Sequence, residues 1–129
     1  MLQQTARLVR RARPPLGVLV WDNGDTVSLT TDLVVGRHPY GHELVTSGQA
    51  RAYEVIDGAE RLSRSHLAVH LEGWDVRVDD LGSTNGTIVS TSTTKTHERL
   101  VPGRVLQLND GDTVWMGARS FTFQSHHVG

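Results

Sequence analysis

From Leu16 onward, apolar residues recur at alternate positions in short runs broken by turn-forming residues, and no run keeps a helical period over ten residues. Leu16–Val20 leads into Asp22-Asn23-Gly24-Asp25, whose Asn-Gly pair predicts a two-residue hairpin turn with positive φ at both centres, and Thr26–Thr30 is the return strand. Leu67, Val69 and Leu71 alternate with His66, Ala68 and His70. After a turn at Glu72-Gly73, Trp74, Val76 and Val78 alternate with Asp75, Arg77 and Asp79, which predicts a hairpin with one buried face. Val105–Leu108, Thr113–Met116 and Ser120–Gln124 continue the pattern around a turn at Asn109-Asp110-Gly111-Asp112. Strands this short and this frequent predict an antiparallel, all-β sandwich or barrel.

The stretches without alternation divide the chain. Residues 1–15 carry Arg7, Arg10, Arg11 and Arg13 and end in Pro14-Pro15, which cannot continue a helix; they read as a flexible basic linker, with an arm for nucleic acid or acidic lipid as the alternative. Residues 16–125 form the domain and 126–129 a tail. Two internal segments interrupt the strands: 38–60, expected to be a long loop around His38-Pro39-Tyr40-Gly41-His42 and Ser47–Arg51, and the Ser/Thr-rich Ser90–Thr96, expected to be mobile.

At 129 residues the chain suits one buried core, which leaves little room for a second, catalytic domain. The net charge of −1 gives no global field to recruit nucleic acid, so any anion site is local. No cysteine is present, which excludes thiolate chemistry and argues for a reducing compartment such as the cytoplasm. No run approaches the ~20 apolar residues of a spanning helix, so direct membrane insertion is not expected. Twelve of the thirteen basic residues are arginine, a bias that fits a GC-rich bacterial genome.

Local anion chemistry is concentrated in three pieces: Val35-Gly36-Arg37, Leu62-Ser63-Arg64-Ser65-His66 and Asp80-Leu81-Gly82-Ser83-Thr84-Asn85-Gly86-Thr87. Each reads as a strand edge followed by a small or polar loop. Together they supply guanidinium donors (Arg37, Arg64), hydroxyls (Ser63, Thr84) and an amide that both donates and accepts (Asn85), the groups that hold a phosphate dianion. Taken singly, each has a plainer reading. Arg37 could form a surface salt bridge, and Gly82–Thr87 could be a hairpin turn closed by its own hydrogen bonds. A catalytic Ser63–His66 pair is disfavoured, because residues three apart on an extended chain point to opposite faces; a satisfied, structural histidine is expected instead.

The order and wording of the three pieces resemble the forkhead-associated (FHA) domain of bacterial type, most strongly from Leu33 to Thr87 and more loosely to about Gln124. The resemblance implies a two-sheet antiparallel β-sandwich of about 10–11 strands, with binding loops at one end. It implies a non-catalytic module that binds a threonine-phosphorylated protein or peptide, the product of a Ser/Thr kinase. It assigns phosphate contacts to Arg37, Ser63 and Thr84, a phosphate or peptide-backbone contact to Arg64, and a ligand main-chain contact to Asn85, with Gly36, His66, Gly82 and Gly86 supporting the loops. It also implies cytoplasmic placement, as a domain of a larger or membrane-associated protein. The 25 residues between Arg37 and Ser63 exceed what a compact domain of this kind needs, so that insertion could add peptide contacts or cover the site.

The competing functions are weaker. Gly82-Ser83-Thr84-Asn85-Gly86 lacks the central serine and the strand-to-helix turn of a nucleophile elbow, and no Gly-Lys-Ser/Thr of a P-loop occurs. His97 stands alone and His126-His127 lie adjacent in a tail, so no metal and no cofactor are implied. The alternative retained is a phosphate-independent protein-interaction scaffold of the same fold, binding through exposed apolar or edge-strand surface.

Overall fold

The computed structural model describes residues 14–59 and 61–126. Arg7, Arg10, Arg11 and Arg13 of the expected linker, and His127 of the expected tail, lie outside the described residues. Eleven strands form two sheets. The six-stranded sheet contains β1 (Gly17–Trp21), β2 (Thr26–Ser28), β7 (Thr87–Ser90), β8 (His97–Arg99), β10 (Thr113–Met116) and β11 (Arg119–Ser125), ordered β2-β1-β11-β10-β7-β8. The five-stranded sheet contains β3 (Asp32–Gly36), β4 (Ala50–Glu54), β5 (Leu67–Glu72), β6 (Asp75–Asp80) and β9 (Leu106–Leu108), ordered β4-β3-β5-β6-β9.

Alternation builds the core. In β1 it buries Leu19 and Trp21, and in β6 it buries Val76 and Val78. These meet Val89, Val114, Phe121 and Phe123 of one sheet and Leu33, Val35, Leu67 and Val69 of the other in one continuous cluster. Truncating a fully buried ring such as Phe121 to alanine costs about 3–5 kcal/mol.

Four expectations change. The turn after β1 is not a two-residue hairpin: the Gly24 N–H donates to the Trp21 carbonyl and only the glycine has positive φ, so a four-residue loop joins β1 to β2. Trp74 is not on the buried face. Glu72 pairs directly with Asp75, which leaves Gly73 and Trp74 as the turn, with Trp74 65% exposed. Ala68, placed by alternation on the outer face, is fully buried. Within the expected 38–60 loop, residues 39–54 are largely structured. Pro39–Gly41 forms a 3-10 turn, Glu43–Thr46 a short helix, α1, capped by the His42 ring, which accepts from the Leu44 N–H at 3.1 Å, and β4 follows.

That last change makes one pair parallel, since β4 runs alongside β3 with Gly36 opposite Glu54. A parallel pair needs a crossover, and this one packs on β3 and β4 with Pro39 buried. Every other pair is antiparallel, including Gly17 with Ser125. There the two ends of the domain are tied together, with the His126 N–H donating to the Leu16 carbonyl at 3.0 Å. No helix among the described residues is long and apolar enough to cross a membrane.

Candidate functional site

The end of the sandwich away from Leu16 and His126 gathers the loops after β3, β4 and β6. The close approach of the first two depends on Gly36. A Cβ there would overlap the Arg64 carbonyl oxygen and lie 2.8 Å from that of Ser63. Without it, the Arg37 N–H reaches the Ser63 carbonyl at 3.1 Å and the His38 N–H the Arg64 carbonyl at 3.2 Å. Arg37 is exposed, and its Nε donates to the Leu62 carbonyl at 3.1 Å. This single bond holds the base of the side chain in the loop and leaves both terminal nitrogens without a partner among the described residues.

The second contact runs through His66. Its Nδ1 accepts from the Ser63 N–H at 3.2 Å, which fixes the proton on Nε2, and Nε2 donates to the Gly86 carbonyl at 2.9 Å. One neutral, buried imidazole therefore bridges the β4–β5 and β6–β7 loops. Burial lowers its pKa below the ordinary 6.5, outweighing the Gly86 bond and the charges of Asp80 and Asp57. Above it, the Thr84 N–H donates to Ser63 Oγ at 3.0 Å and Asn85 Nδ2 donates to the Arg61 carbonyl at 2.9 Å.

The β6–β7 loop is folded around Asp80. The alternation that buries Val76 and Val78 carries this carboxylate inward as well. Its Oδ1 accepts the N–H groups of Gly82 and Ser83, both at 2.8 Å; its Oδ2 accepts the hydroxyls of Ser83 and Thr87, both at 2.6 Å. Burial pushes its pKa up, but these four bonds prevail and it lies below the ordinary value. Ser83 Oγ also accepts the Gly86 N–H at 3.0 Å. Two of the loop's hydroxyls, Ser83 and Thr87, are thus turned inward, while Thr84 is exposed and its Oγ1 has no partner among the described residues.

Asp57 plays the same part in the preceding loop, accepting the N–H groups of Ala59, Arg61 and Leu62. Asp80 opens the third sequence piece without a role of its own, and Asp57 lies outside all three. The signal available was a carboxylate shortly before a glycine, the pattern of an Asx turn. The arginines then sort by partner. Arg119 is bidentate to Asp22, through Nε to Oδ2 at 3.0 Å and a terminal nitrogen to Oδ1 at 2.9 Å, and Arg77 is paired with Glu72 and Asp75. By contrast, the guanidinium groups of Arg61 and Arg64 are exposed with no partner among the described residues.

The geometry thus brings Arg37, Ser63, Arg64, Thr84 and Asn85 to two adjoining loop junctions, with Gly36, His66 and Gly86 beneath them and Gly82 in the turn around Asp80. The donors still open there are guanidinium, hydroxyl and amide groups, and the carboxylates of Asp57 and Asp80 are occupied by backbone and hydroxyl donors. Such a surface attracts an anion with several acceptor oxygens.

The family model described as FHA domain matches residues 33–117. Among solved structures, one from a structural and functional analysis of phosphothreonine-dependent FHA domain interactions is 25% identical, with a TM-score of 0.61, and the match covers 86% of this chain and 97% of that one. The FhaA FHA domain, complexed with the intracellular domain of Rv3910, is 25% identical with a TM-score of 0.58, covering 83% and 98%. The FHA domain of an Arabidopsis thaliana hypothetical protein shares the fold at 23% identity and a TM-score of 0.65, covering 90% of each chain. No curated protein matches.

Proposed function

The chain belongs to the FHA domain family, and from that premise we propose that it is a phosphothreonine-dependent peptide-binding module, non-catalytic and acting downstream of a Ser/Thr protein kinase. The observation that carries this reading is Arg37, held at its Nε by Leu62 with its terminal nitrogens open beside Ser63 and the Thr84 loop. An ionised phosphate brings about −1.5 to −2 charges and three acceptor oxygens, whereas an unmodified threonine leaves these donors facing only water. In this reading Arg37, Ser63 and Thr84 hold the phosphate, Arg64 reaches it from the rim, and Asn85 takes the ligand backbone with its free Oδ1 while its Nδ2 keeps the Arg61 carbonyl. The interaction of relatives with phosphothreonine and with partner domains supports it. A cytoplasmic setting, and residues 16–125 as the functional unit, belong to the same proposal.

The test is a calorimetric titration of a degenerate phosphothreonine peptide library and its unphosphorylated twin into wild type and Arg37→Ala. Binding only of the phosphorylated library, weakened by about 2–5 kcal/mol in the variant, is expected. A loss below about 0.5 kcal/mol removes Arg37 from the site. A second reading, a phosphate-independent scaffold, draws on Ile88 and Trp115, which pair across β7 and β10 and are 38% and 42% exposed. Under it, phosphorylation and Arg37→Ala scarcely alter binding.

A further inference from the structure

Arg99 is the last residue of β8, opposite Ile88, in a strand whose three residues are all exposed. A cation on an edge strand ordinarily serves to discourage pairing with another chain, and for that purpose it extends into water. Arg99 does otherwise. Its guanidinium lies against the backbone of Gly86: a Cβ on that glycine would stand 2.6 Å from one terminal nitrogen and 2.7 Å from Cζ. Gly86 has positive φ, so both its conformation and this contact call for glycine. The Gly86 carbonyl is taken by His66 and its N–H by Ser83, and the Arg99 donors have no partner among the described residues. Ordering a long side chain over a backbone segment, without a hydrogen bond in return, costs conformational entropy. It leaves a planar cation with open donors against Gly86, the residue that follows Asn85.

We propose that Arg99 extends the peptide site beyond Asn85 and selects ligands that carry a second anion, an acidic side chain or a second phosphate, next to the phosphothreonine segment. The proposal rests on the phosphopeptide reading above and adds a determinant of sequence preference to it. Arg99 reaches the ligand because β8 is registered on β7, which continues directly from the Asn85 loop. Its flat guanidinium suits a carboxylate or phosphate in two parallel bonds, an arrangement that a lysine does not reproduce.

The experiment titrates wild type, Arg99→Gln, Arg99→Lys and Arg51→Gln with phosphothreonine peptides in which each flanking position in turn is alanine, aspartate, glutamate or phosphoserine. In wild type, one flanking position is expected to bind about tenfold more tightly with an anion than with alanine. The aspartate, glutamate and phosphoserine arms tell carboxylate from phosphate recognition. That ratio falls to near one in Arg99→Gln, is kept only in part by Arg99→Lys, and persists in Arg51→Gln, which removes an exposed positive charge from β4. A flat positional profile in wild type, a ratio that survives Arg99→Gln, or an equal loss in Arg51→Gln overturns the assignment of Arg99. A wild type that binds no phosphothreonine peptide overturns the phosphopeptide reading itself, and this inference with it.

Discussion

Asp80 accepts four hydrogen bonds from Gly82, Ser83 and Thr87, and it does so as the last residue of β6 rather than from within the loop it organises. Replacing it with alanine leaves two N–H groups and two hydroxyls of a partly buried turn without their acceptor. A loss of about 3 kcal/mol in urea denaturation is expected, and a change under about 1 kcal/mol means that the loop holds its shape by other means. Asn85 is the contrasting case. It is exposed and makes one bond, so Asn85→Ala is expected to leave the urea midpoint nearly unchanged while weakening phosphopeptide binding. Competition by inorganic phosphate as effective as by phosphopeptide would contradict a role for Asn85 at the ligand backbone. The two residues differ in kind: one side chain shapes the loop from within, and the other stands on its surface, where the proposed function gives it a ligand.

At the scale of the element, β3 matters most through its last residue. Gly36→Ala adds a methyl where the carbonyls of Ser63 and Arg64 cross the strand, and it is expected to cost about 2 kcal/mol of stability and to displace the Arg37–Leu62 contact. Wild-type stability and peptide affinity in that variant would show that the crossing relaxes freely. Elements of this kind also mark what was legible in the sequence. The hairpin β5–β6 could be read from alternation because Val69, Val76 and Val78 all face one core. Strand β4 could not: Ala50-Arg51-Ala52-Tyr53-Glu54 shows no apolar alternation and is held by its parallel pairing with β3. Trp74 was misplaced because periodicity does not say where a strand gives way to its turn. The residues brought to the candidate site stand in three compact sequence pieces, and so were visible together. Arg99 was not, because its position follows from the register of β8 on β7 and from the missing side chain of Gly86.

For the whole molecule, acid should act in two stages. His66 is neutral in the folded protein and its pKa is lowered by burial, so below about 6.5 the unfolded chain binds a proton that the folded one does not. Stability is therefore expected to fall as pH drops from about 6.5 towards the folded pKa of His66, and then to level off. Asp80, together with Asp22 and Asp57, is also held below its ordinary value, so its contribution is complete above about 4 and is lost on further acidification. An NMR titration of the His66 ring alongside urea denaturation from pH 8 to 3 checks both stages. A ring that titrates at 6.5 or above removes the first. Because His66 joins the β4–β5 and β6–β7 loops, they should loosen only once its ring takes a proton in the folded state. The loops lie at one pole of the sandwich, and the antiparallel pairing of β1 with β11 brings Leu16 and His126 together at the other. A host protein can therefore accept this domain between two neighbouring residues of one of its own surface loops, with almost no gap to close, as readily as at a terminus. Either graft would present the candidate site away from the host.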